Sequence, residues 1–419
     1  NIDEIKSRVD IVDLVSETVK LRKSGKNYTG FCPFHPNSRT PAFVVFPESG
    51  TWRCFGQCNE GGDILKFVMK KEGWDFPEAL RHLAERAGIK LEPLTPERQE
   101  EEDAHERLRA LLEDAVTFFK HHLLQNAAGK SARDYLTRRG LTDATIETFG
   151  LGYALDSWDA GLRYFTGKGY STADLLAVGL ITERQGSEGF YDRFRNRIMF
   201  PIRDPLGRMA GFGARILDPN DVPKFLNSPQ TALFDKGRLL YGLDQARKAI
   251  RSADQVVIVE GYLDVIVLHQ AGFANTVSPM GTALTEDQIL VLWKMIPQDS
   301  KVPVLCFDGD NAGRRAASRA CERILPLLKA NHSARIAFLP EGEDPDSLVK
   351  AKGKEALQAV IDAAMNLVDF LWLDYTEGKS FDTPEERAGL SSALEGVASR
   401  ITDRAVQHYY REAFRDKVR

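Results

Sequence analysis

Short apolar runs alternate with helical patterns between residues 255 and 339, and this rhythm constrains the fold more than any other feature of the chain. Strand patterns cover 255–259, 276–278, 302–307 and 335–339, and helical patterns cover 263–271, 286–296 and 312–330. The alternation predicts a parallel sheet covered by helices on both faces. From Lys354 to the end of the chain the pattern is helical.

Acidic residues follow these runs where the strands of such a sheet would end. Glu260 follows the first run, Asp308 and Asp310 follow the third, and Asp344 and Asp346 lie shortly after the fourth. Ligands of open parallel sheets bind at the carboxyl ends of strands, so we expect these acids to share one crevice. Carboxylates this close together repel each other unless cations bind, and such hard oxygen ligands suit Mg²⁺ or Mn²⁺. A pair of these ions can stabilise the attacking and leaving oxygens of a phosphoryl displacement. The alternative is that Asp308 and Asp310 only cap the following helix.

Four candidate metal ligands crowd the first part of the chain, namely Cys32 and His35, followed by Cys54 and Cys58. Three thiolates and one imidazole are a common closed set for structural zinc. The two close pairs suit two turns that face each other across a small sheet, and we expect its strands at 44–46 and 51–53. A domain this small has little hydrophobic core and needs the added stability of a bound metal. The alternative is three unrelated cysteines and a chance histidine. The odd total of five cysteines does not suggest a disulfide framework and favours a reducing compartment.

Cations and aromatic side chains interleave around these ligands. The cations are Lys20, Arg22, Lys23, Lys26, Arg39 and Arg53, and the aromatic residues are Tyr28, Phe43, Phe46, Trp52 and Phe55. This mixture suits single-stranded nucleic acid, because bases stack on aromatic rings while cations follow the phosphates. The alternative is that the aromatic residues form a small core and the cations a solvated face.

The segment 193–250 is basic within an acidic chain. It contains eleven Lys or Arg and five Asp or Glu, a balance of +6, whereas the whole chain carries −4. Arg193, Arg195 and Arg197 alternate, which predicts one face of a strand. Further candidate contacts to nucleotide or template in this segment are Asn196, Lys224, Asn227, Lys236 and Arg238. A basic surface beside an acidic metal site suits a polyphosphate and a nucleic-acid backbone, and dispersed solvated cations are the alternative.

The length of 419 residues predicts two or three domains. We expect the divisions 1–91, 92–107, 108–250, 251–352 and 353–419, in which 92–107 is an acidic linker that runs into a helix and 150–242 consists of strands and loops. A helical face with Ile5, Val9, Val12 and Val15 predicts one amphipathic helix at the start. No apolar run approaches the ~18 residues of a membrane-spanning helix, and the start lacks the features of a signal peptide, so we expect a cytoplasmic protein without membrane contact.

Five stretches carry a resemblance to a known family when they are taken in order. They are Tyr28-Thr-Gly-Phe-Cys32-Pro-Phe-His35, Arg193-Phe-Arg-Asn-Arg-Ile-Met-Phe-Pro201, Pro223-Lys-Phe-Leu-Asn-Ser-Pro229, Val259-Glu-Gly-Tyr-Leu-Asp264 and Phe307-Asp-Gly-Asp-Asn-Ala-Gly313. The chain resembles bacterial replicative DNA primases of the DnaG type over essentially its whole length. The acidic stretches alone also occur in topoisomerases and some nucleases, whereas the ordered set with the zinc module is highly specific.

The resemblance implies an α+β multidomain protein with a small zinc-ribbon domain, a mixed α/β N-terminal polymerase subdomain, a Toprim parallel-sheet α/β subdomain and a C-terminal helical subdomain. It also implies synthesis of short RNA primers from ribonucleoside triphosphates on single-stranded DNA, by metal-assisted nucleotidyl transfer. By motif, Cys32, His35, Cys54 and Cys58 hold one structural Zn²⁺; Glu260, Asp308 and Asp310 are catalytic ligands of Mg²⁺ or Mn²⁺, with Asp264, Asp344 and Asp346 nearby; and Arg193, Arg195, Asn196, Lys224 and Lys236 contact nucleotide or template.

Two positions depart from the family pattern. Three residues separate Cys54 from Cys58 where two are usual, which changes the turn between these ligands. Phe225 stands where Tyr is common, which removes a hydroxyl but keeps a stacking face. The family also carries a C-terminal domain that binds the replicative helicase, and we expect the chain to be a trimmed form without it, because it lacks an initiating Met and stops within a helical run.

Two other function classes remain open from the residues themselves. A Toprim nuclease or topoisomerase would use the same acids, but a topoisomerase needs a nucleophilic Tyr in a separate DNA-gate domain, and the sequence offers no clear candidate. A zinc-dependent single-strand-binding module would use the first domain alone. The carboxylates disfavour this module, since acids repel nucleic acid unless metals bind.

Overall fold

The computed structural model describes residues 2–37, 39–91, 95–253, 255–281, 283–296 and 299–419. The chain divides into two compact units, residues 1–99 and 100–419. Among the described residues, no helix has both the length and the apolar character needed to cross a membrane.

The first unit is built on an antiparallel sheet. Its elements are α1 Ile2–Arg8, α2 Ile11–Ser16, β1 Arg22–Ser24, β2 Asn27–Gly30, β3 Phe43–Phe46, β4 Thr51–Cys54, β5 Gly61–Gly62, α3 Ile64–Glu72 and α4 Phe76–Arg86. The five strands pair in chain order, and the strands predicted at 44–46 and 51–53 are confirmed as β3 and β4. Phe43 and Trp52 on their inner face are at most 1% exposed, and their rings stack 5.3 Å apart. Aromatic packing therefore forms much of this small core.

Asp10 divides the start of the chain into two helices where the sequence predicts one. Its carboxylate accepts a hydrogen bond from the N–H of Asp13 at 3.0 Å and so caps α2. Ser, Thr, Asp and Asn favour such N-cap positions because they satisfy an otherwise unpaired N–H. The prediction of one continuous helix is therefore wrong, and Val12 is only partly buried.

The first part of the second unit combines helices with a four-stranded antiparallel sheet. The elements are α5 Pro96–Leu124, which contains the boundary between the units, α6 Lys130–Arg138, α7 Asp143–Phe149, β6 Gly152–Ala154, α8 Ala160–Gly167, α9 Thr172–Ala177, β7 Ile181–Glu183, β8 Phe190–Asp192, β9 Arg197–Arg203, β10 Met209–Ile216, β11 Phe225–Asn227 and α10 Leu243–Ala253. The sheet has the order β11-β10-β9-β6, and β7 pairs with β8 separately. The prediction of only strands and loops across 150–242 is wrong for α8 and α9.

The acidic stretch predicted as a linker at 92–107 is helical from Pro96 onward. Its Glu, Gln and Arg residues are strong helix formers, which explains why the helix extends so far back. Residues 92–94 lie outside the described part of the chain.

The second part of this unit contains the predicted parallel sheet. The elements are β12 Val257–Ile258, α11 Tyr262–Gln270, β13 Thr276–Val277, α12 Glu286–Met295, β14 Val304–Gly309, α13 Asn311–Ile324, β15 Arg335–Glu341, α14 Pro345–Lys352, α15 Lys354–Asp362, β16 Met365–Asn366, α16 Leu367–Thr376, α17 Pro384–Ser399 and α18 Arg404–Val418. The strand order is β13-β12-β14-β15-β16, and the first four strands are parallel. The parallel sheet is thus confirmed.

An edge strand departs from the prediction for this region. β16 pairs antiparallel with β15, although it lies in the segment predicted to be helical throughout. The chain moves from β12 to β13 on one side and returns to β14 on the other side of β12. The carboxyl ends of β12 and β14 therefore flank the point where the strand order reverses, which is where open α/β sheets bind ligands.

Candidate functional site

The four predicted zinc ligands converge in the first unit. Their ligand atoms all lie within 4.8 Å of one another, with 3.7 Å between the sulfur atoms of Cys32 and Cys58 and 3.2 Å between His35 Nε2 and Cys54 Sγ. A tetrahedral zinc with bonds of about 2.3 Å to sulfur places two sulfur atoms about 3.8 Å apart. The donor set and its spacing therefore fit Zn²⁺.

The turn between Cys54 and Cys58 accommodates the unusual three-residue spacer. β4 ends at Cys54, whose sulfur accepts a hydrogen bond from the N–H of Gly56 at 3.3 Å. Burial alone would raise the pKa of the Cys54 thiol, but hydrogen bonds from His35 and Gly56 outweigh it and lower the pKa to about 7. Burial raises the pKa of Cys32 to about 12. The longer spacer thus still brings Cys58 to the other ligands and leaves Cys54 the most easily ionised of the shifted thiols.

The aromatic residues around the zinc ligands divide between two roles. Phe43 and Trp52 lie in the core, as the structural alternative predicts, whereas Phe55 is 59% exposed with the guanidinium of Arg53 5.2 Å above its ring. Phe31, which the sequence analysis did not single out, is 45% exposed. The exposed ring of Phe55 beside Arg53 is the feature of this unit that best suits an unpaired base.

Glu260 and Asp308 meet where the strand order of the parallel sheet reverses. Glu260 follows β12, Asp308 lies near the end of β14, and the N–H of Asp308 donates to Glu260 Oε2 at 3.2 Å. Burial, followed by the charge of Glu260, raises the pKa of Asp308 to about 8. The two carboxylates are thus held together although their charges repel, which is the arrangement expected of a cation site.

The third acidic patch is tied to the same strand end. The N–H of Gly309 donates to the carbonyl of Glu343 at 3.3 Å, and the N–H of Gly342 donates to the carbonyl of Gly309 at 3.1 Å. A Cβ at position 309 would lie 2.1 Å from the carbonyl oxygen of Pro340, so only glycine permits this close approach. These bonds bring Asp344, at the start of α14, towards Asp308.

The remaining acids differ in how free they are. Asp264 is half-buried on α11, and burial, followed by the charge of Asp344, raises its pKa to about 7. Asp310 is exposed and caps α13, since its Oδ1 accepts from the N–H of Gly313 at 2.6 Å. Asp346 is 5% exposed and forms ion pairs with Arg139 at 2.9 Å and with Lys350 at 3.3 Å. Lys350 lies on the same helix, so the pair with Arg139, just after α6, is the one by which Asp346 anchors α14. Glu260, Asp264, Asp308 and Asp344 form the core of the carboxylate centre.

The acids are less tightly gathered than the zinc ligands. In the described ranges, the Cys and His set alone has three or more ligand atoms of His, Cys, Asp or Glu all within 4.8 Å of one another. Burial raises the pKa values of Asp264 and Asp308, and the charges of neighbouring carboxylates raise them further. A bound cation would offset this repulsion and stabilise the ionised carboxylates. The chemistry of the donor set therefore fits a hard divalent ion.

The segment 193–197 does not form the predicted strand face. β8 ends at Asp192 and β9 begins at Arg197, and Asn196 between them has a φ of +49°. Asn tolerates this left-handed conformation better than most residues, and it breaks the alternation. Arg197 is 4% exposed, whereas Arg195 is half-buried, so the arginines do not share one face.

A chain of hydrogen bonds joins the basic segment to the carboxylate centre. The guanidinium of Arg193 donates to the carbonyl of Asn227 at 2.7 Å. The side chain of Asn227 accepts from the hydroxyl of Tyr262 at 2.7 Å and donates to the carbonyl of Met280 at 2.9 Å. Tyr262 is two residues from Glu260 and from Asp264 on the chain, so these bonds connect Arg193 to the segment that carries these acids.

The other predicted basic contacts are distributed over the surface of this unit. Lys224 is exposed beside the exposed ring of Phe225, 5.6 Å from its centroid. Arg238 is exposed but ion-paired with Asp235 at 3.6 Å and Asp287 at 3.5 Å. Lys236 is partly buried and its backbone carbonyl accepts from Gln288. Lys224 is therefore the freest of these cations for a phosphate.

Sequence reasoning missed two residues that organise the centre. Tyr262 links Asn227 to the segment of the acids, and Arg139 neutralises Asp346 and lowers the pKa of Asp264 against the raising effects of burial and Asp344. Tyr262 lies inside a stretch already recognised by its acids, so its position could have marked it. Arg139 lies more than a hundred residues before its partner, and no local signal points to it.

Comparisons with known proteins agree with this geometry. Family models match for the CHC2 zinc finger over residues 1–99, the N-terminal domain of the DNA primase catalytic core over 118–247 and the Toprim domain over 254–338. The DNA primase of Escherichia coli K12 is 40% identical over 100% of this chain and 71% of its own length. This chain belongs to the DnaG family of DNA primases.

Other members of the family extend the likeness to whole structures. The DNA primase of Pseudomonas aeruginosa is 44% identical over 86% of this chain, and the chain spans about half, 54%, of that relative's length. The zinc-binding and RNA polymerase domains of the Aquifex aeolicus primase match with a TM-score of 0.63 and 33% identity, covering 99% of this chain and 96% of that one. A DnaG catalytic domain bound to single-stranded DNA matches with a TM-score of 0.67 and 39% identity, covering 75% of this chain and 97% of that one. The predicted combination of a zinc ribbon, a polymerase core and a Toprim fold is thereby confirmed.

Proposed function

We propose that this chain synthesises short RNA primers on single-stranded DNA from ribonucleoside triphosphates. The observation that carries the proposal is the junction of opposite charges in the second unit, where Asn227 and Tyr262 connect Arg193 to the segment of Glu260 and Asp264. A polymerase needs anionic groups that hold cations next to cationic groups that hold phosphates. A nuclease would need the same acids, so the zinc module and the family membership favour the primase over that alternative.

The carboxylate centre is the proposed catalytic site. Glu260 and Asp308 would hold a divalent cation, Mg²⁺ or Mn²⁺, with Asp264 and Asp344 contributing negative charge around it and Asp310 at the mouth of the site. When bound, such a cation lowers the pKa of the attacking 3′-hydroxyl and neutralises the charge that develops on the departing pyrophosphate. Glu260 serves either as a ligand or as the proton acceptor for that hydroxyl. Asp346 contributes through its ion pair with Arg139, which ties α14 to the end of α6.

The basic residues are the proposed contacts to phosphate. Lys224 and Arg195 would attract the template or the nucleotide, and Arg193 and Asn196 would line the turn between β8 and β9. Lys236 and Arg238 extend the positive surface, although Arg238 must first exchange its carboxylate partners for phosphate. Asn227 would act by position, because both polar atoms of its side chain are already engaged within the protein.

The zinc module is proposed to engage the template. Its four ligands leave no open position for chemistry, so a structural Zn²⁺ would hold the ribbon while the exposed rings of Phe31 and Phe55 meet unpaired bases. On the family resemblance alone, we also propose the replicative helicase as a partner.

The test supplies ribonucleotides, unprimed single-stranded DNA and either Mg²⁺ or Mn²⁺, and measures labelled RNA of short length. Asp308→Asn and Glu260→Gln keep the size of each side chain and remove its charge, so both should lose synthesis while keeping their circular dichroism and template affinity. Asp362→Asn, at an exposed position of α15 outside the centre, is the matched control and should remain active. Near-normal synthesis by both folded active-site variants would place the chemistry elsewhere, and cleavage of the template without RNA synthesis would favour a nuclease.

A further inference from the structure

The first turn of α13 lies directly against the backbone of two predicted catalytic acids. A Cβ at Gly313 would lie 2.1 Å from the carbonyl oxygen of Asp308, so only glycine lets the helix begin this close to β14. The carboxylate of Asp310 caps the turn, and the N–H of Arg314 donates to the carbonyl of Asp310 at 3.0 Å. A shift of this turn would therefore displace Asp310 and press on Asp308.

Arg314 supplies the side chain that anchors this turn. Of the three residues before it on α13, two are exposed and the third is Gly313. The guanidinium of Arg314 lies 5.4 Å from the ring centroid of Phe338 on β15 and 5.3 Å from that of Phe370 on α16. A planar guanidinium can stack on aromatic faces, whereas a lysine ammonium acts only as a point charge. The type of cation therefore matters at this position.

Two carboxylates at the end of α16 hold the same guanidinium. Arg314 Nη2 lies 2.7 Å from Glu377 Oε2, and Arg314 Nε lies 3.6 Å from Asp374 Oδ1. The other carboxylate oxygen of Asp374 accepts from the hydroxyl of Ser318 at 2.8 Å, one turn further along α13. The side chains of Arg314 and Asp374 are 29% and 26% exposed, so solvent screens this pair less than it screens a surface pair. α16 thus holds the first two turns of α13 in place.

The aromatic rings beside Arg314 also reach the strand that carries Asp308. The ring of Phe338 lies 5.6 Å from that of Phe370 and 6.0 Å from that of Phe307, which directly precedes Asp308 on β14. Because protein interiors are closely packed, a change at Arg314 would be transmitted through these rings to β14.

We propose that Arg314 is a positioning residue that ties α13 to α16 and so holds Asp308 and Asp310 in the arrangement that a divalent cation requires. The inference rests on the proposed function and deepens it, because it gives α16 a part in arranging the catalytic acids. Arg314 itself touches neither cation nor substrate in this role. Residues that orient metal ligands from behind typically change metal affinity or activity by 10-fold to 100-fold when they are replaced.

The experiment measures Mn²⁺ binding by the whole chain, from the electron paramagnetic resonance signal of the free ion, together with the kinetics of primer synthesis. Arg314→Ala should weaken Mn²⁺ binding and lower kcat by about 10-fold to about 100-fold, with KM for ribonucleotides unchanged. Arg314→Lys keeps the charge without the planar group and should fall between Arg314→Ala and the parent. Asp374→Asn should cause a smaller loss, and no additional loss when combined with Arg314→Ala. Arg319→Ala, at an exposed position of the same helix, removes the same charge and should behave as the parent does.

Stability and KM separate the remaining explanations. Lower stability in urea with parent-like Mn²⁺ affinity and kcat would make Arg314 a structural residue only and overturn the proposal. A higher KM at unchanged kcat would assign Arg314 to the nucleotide and also overturn it. If circular dichroism shows that Arg314→Ala does not fold, Arg314→Lys and Asp374→Asn decide, and parent-like Mn²⁺ affinity in both would reject the positioning role. If the parent makes no RNA but binds Mn²⁺ more tightly than the Arg314 variants do, the positioning role stands and the proposed function fails.

Discussion

Replacing Asp308 by Asn should stabilise the metal-free protein as pH rises, while it removes primer synthesis. The pKa of Asp308 rises from 3.8 to about 8 on folding, because burial and the charge of Glu260 disfavour the carboxylate. A group whose pKa is raised in the folded state binds a proton more tightly there, so its contribution to stability is lost as pH increases between these two values. Asn carries no charge and does not suffer this loss.

The size of the effect follows from linkage. Each pH unit between the two pKa values changes the free energy of unfolding by about 1.4 kcal/mol, which amounts to about 4 kcal/mol from pH 5 to pH 8. Asp308 is partly exposed to solvent, which screens the repulsion, so we reduce the expected difference to about 2 kcal/mol. The variant should therefore gain about 2 kcal/mol on the parent between pH 5 and pH 8.

Urea unfolding in the presence of EDTA, followed by circular dichroism at both pH values, measures this difference. Asp362→Asn, exposed on α15, should change little with pH relative to the parent and serves as the control. Adding Mg²⁺ at pH 8 should stabilise the parent more than Asp308→Asn, because the cation relieves the repulsion that the variant lacks. A variant that is no more stable than the parent at pH 8 in EDTA would refute the argument that Asp308 is held against its neighbours' charge.

Four further substitutions test other parts of the molecule. Cys54→Ala should release the zinc measured by metal analysis and loosen the first unit while the second unit stays folded, and unchanged zinc content would reject the assignment. Tyr262→Phe keeps the ring but leaves the buried Oδ1 of Asn227 without its donor, so the free energy of unfolding should fall by about 1–3 kcal/mol. An unchanged urea midpoint would show that this hydrogen bond does not stabilise the fold. Arg195→Ala and Lys224→Ala should each weaken template binding without unfolding the protein. Each should also reduce the slope of the logarithm of the binding constant against the logarithm of salt concentration by about one. Parent-like affinity in both variants at moderate salt would show that the basic segment is only a solvated surface.

Much of the parallel sheet was predictable because its signals are local. The apolar run at 302–307 corresponds to most of β14, and the acids that follow it lie at its carboxyl end, as the pattern of strand and helix predicts. The two zinc pairs were predictable for the same reason, since each pair occupies one turn. Boundaries were less accurate: the helix predicted at 312–330 ends at Ile324, where Pro326 enters a short 3₁₀ turn and cannot donate to a continuing α-helix.

The turn at 193–197 shows where alternation misleads. Three arginines at every second position satisfy the strand pattern, yet Asn196 adopts a left-handed conformation and donates its N–H to Leu155. Its side chain accepts from the hydroxyl of Tyr153 at 2.7 Å. These hydrogen bonds to a segment about forty residues earlier in the chain fix the conformation of Asn196. Neither the strand propensity of the residues nor the alternation of the arginines could have predicted them.

The carboxylate centre depends on a similar pairing between distant segments, and this determines how its residues can be assigned. Asn227 looks like a nucleotide contact in the sequence because it stands in a basic motif. In the fold it is buried, and it connects β11, which begins with Phe225 directly after Lys224, to Tyr262 and to the carbonyl of Met280. A residue whose polar atoms are satisfied inside the protein gains nothing by turning to a ligand, since that would leave buried partners unpaired. The basic surface is therefore held to the acidic crevice by polar side chains, and the distance between phosphate contacts and cation ligands is set by the core of the second unit.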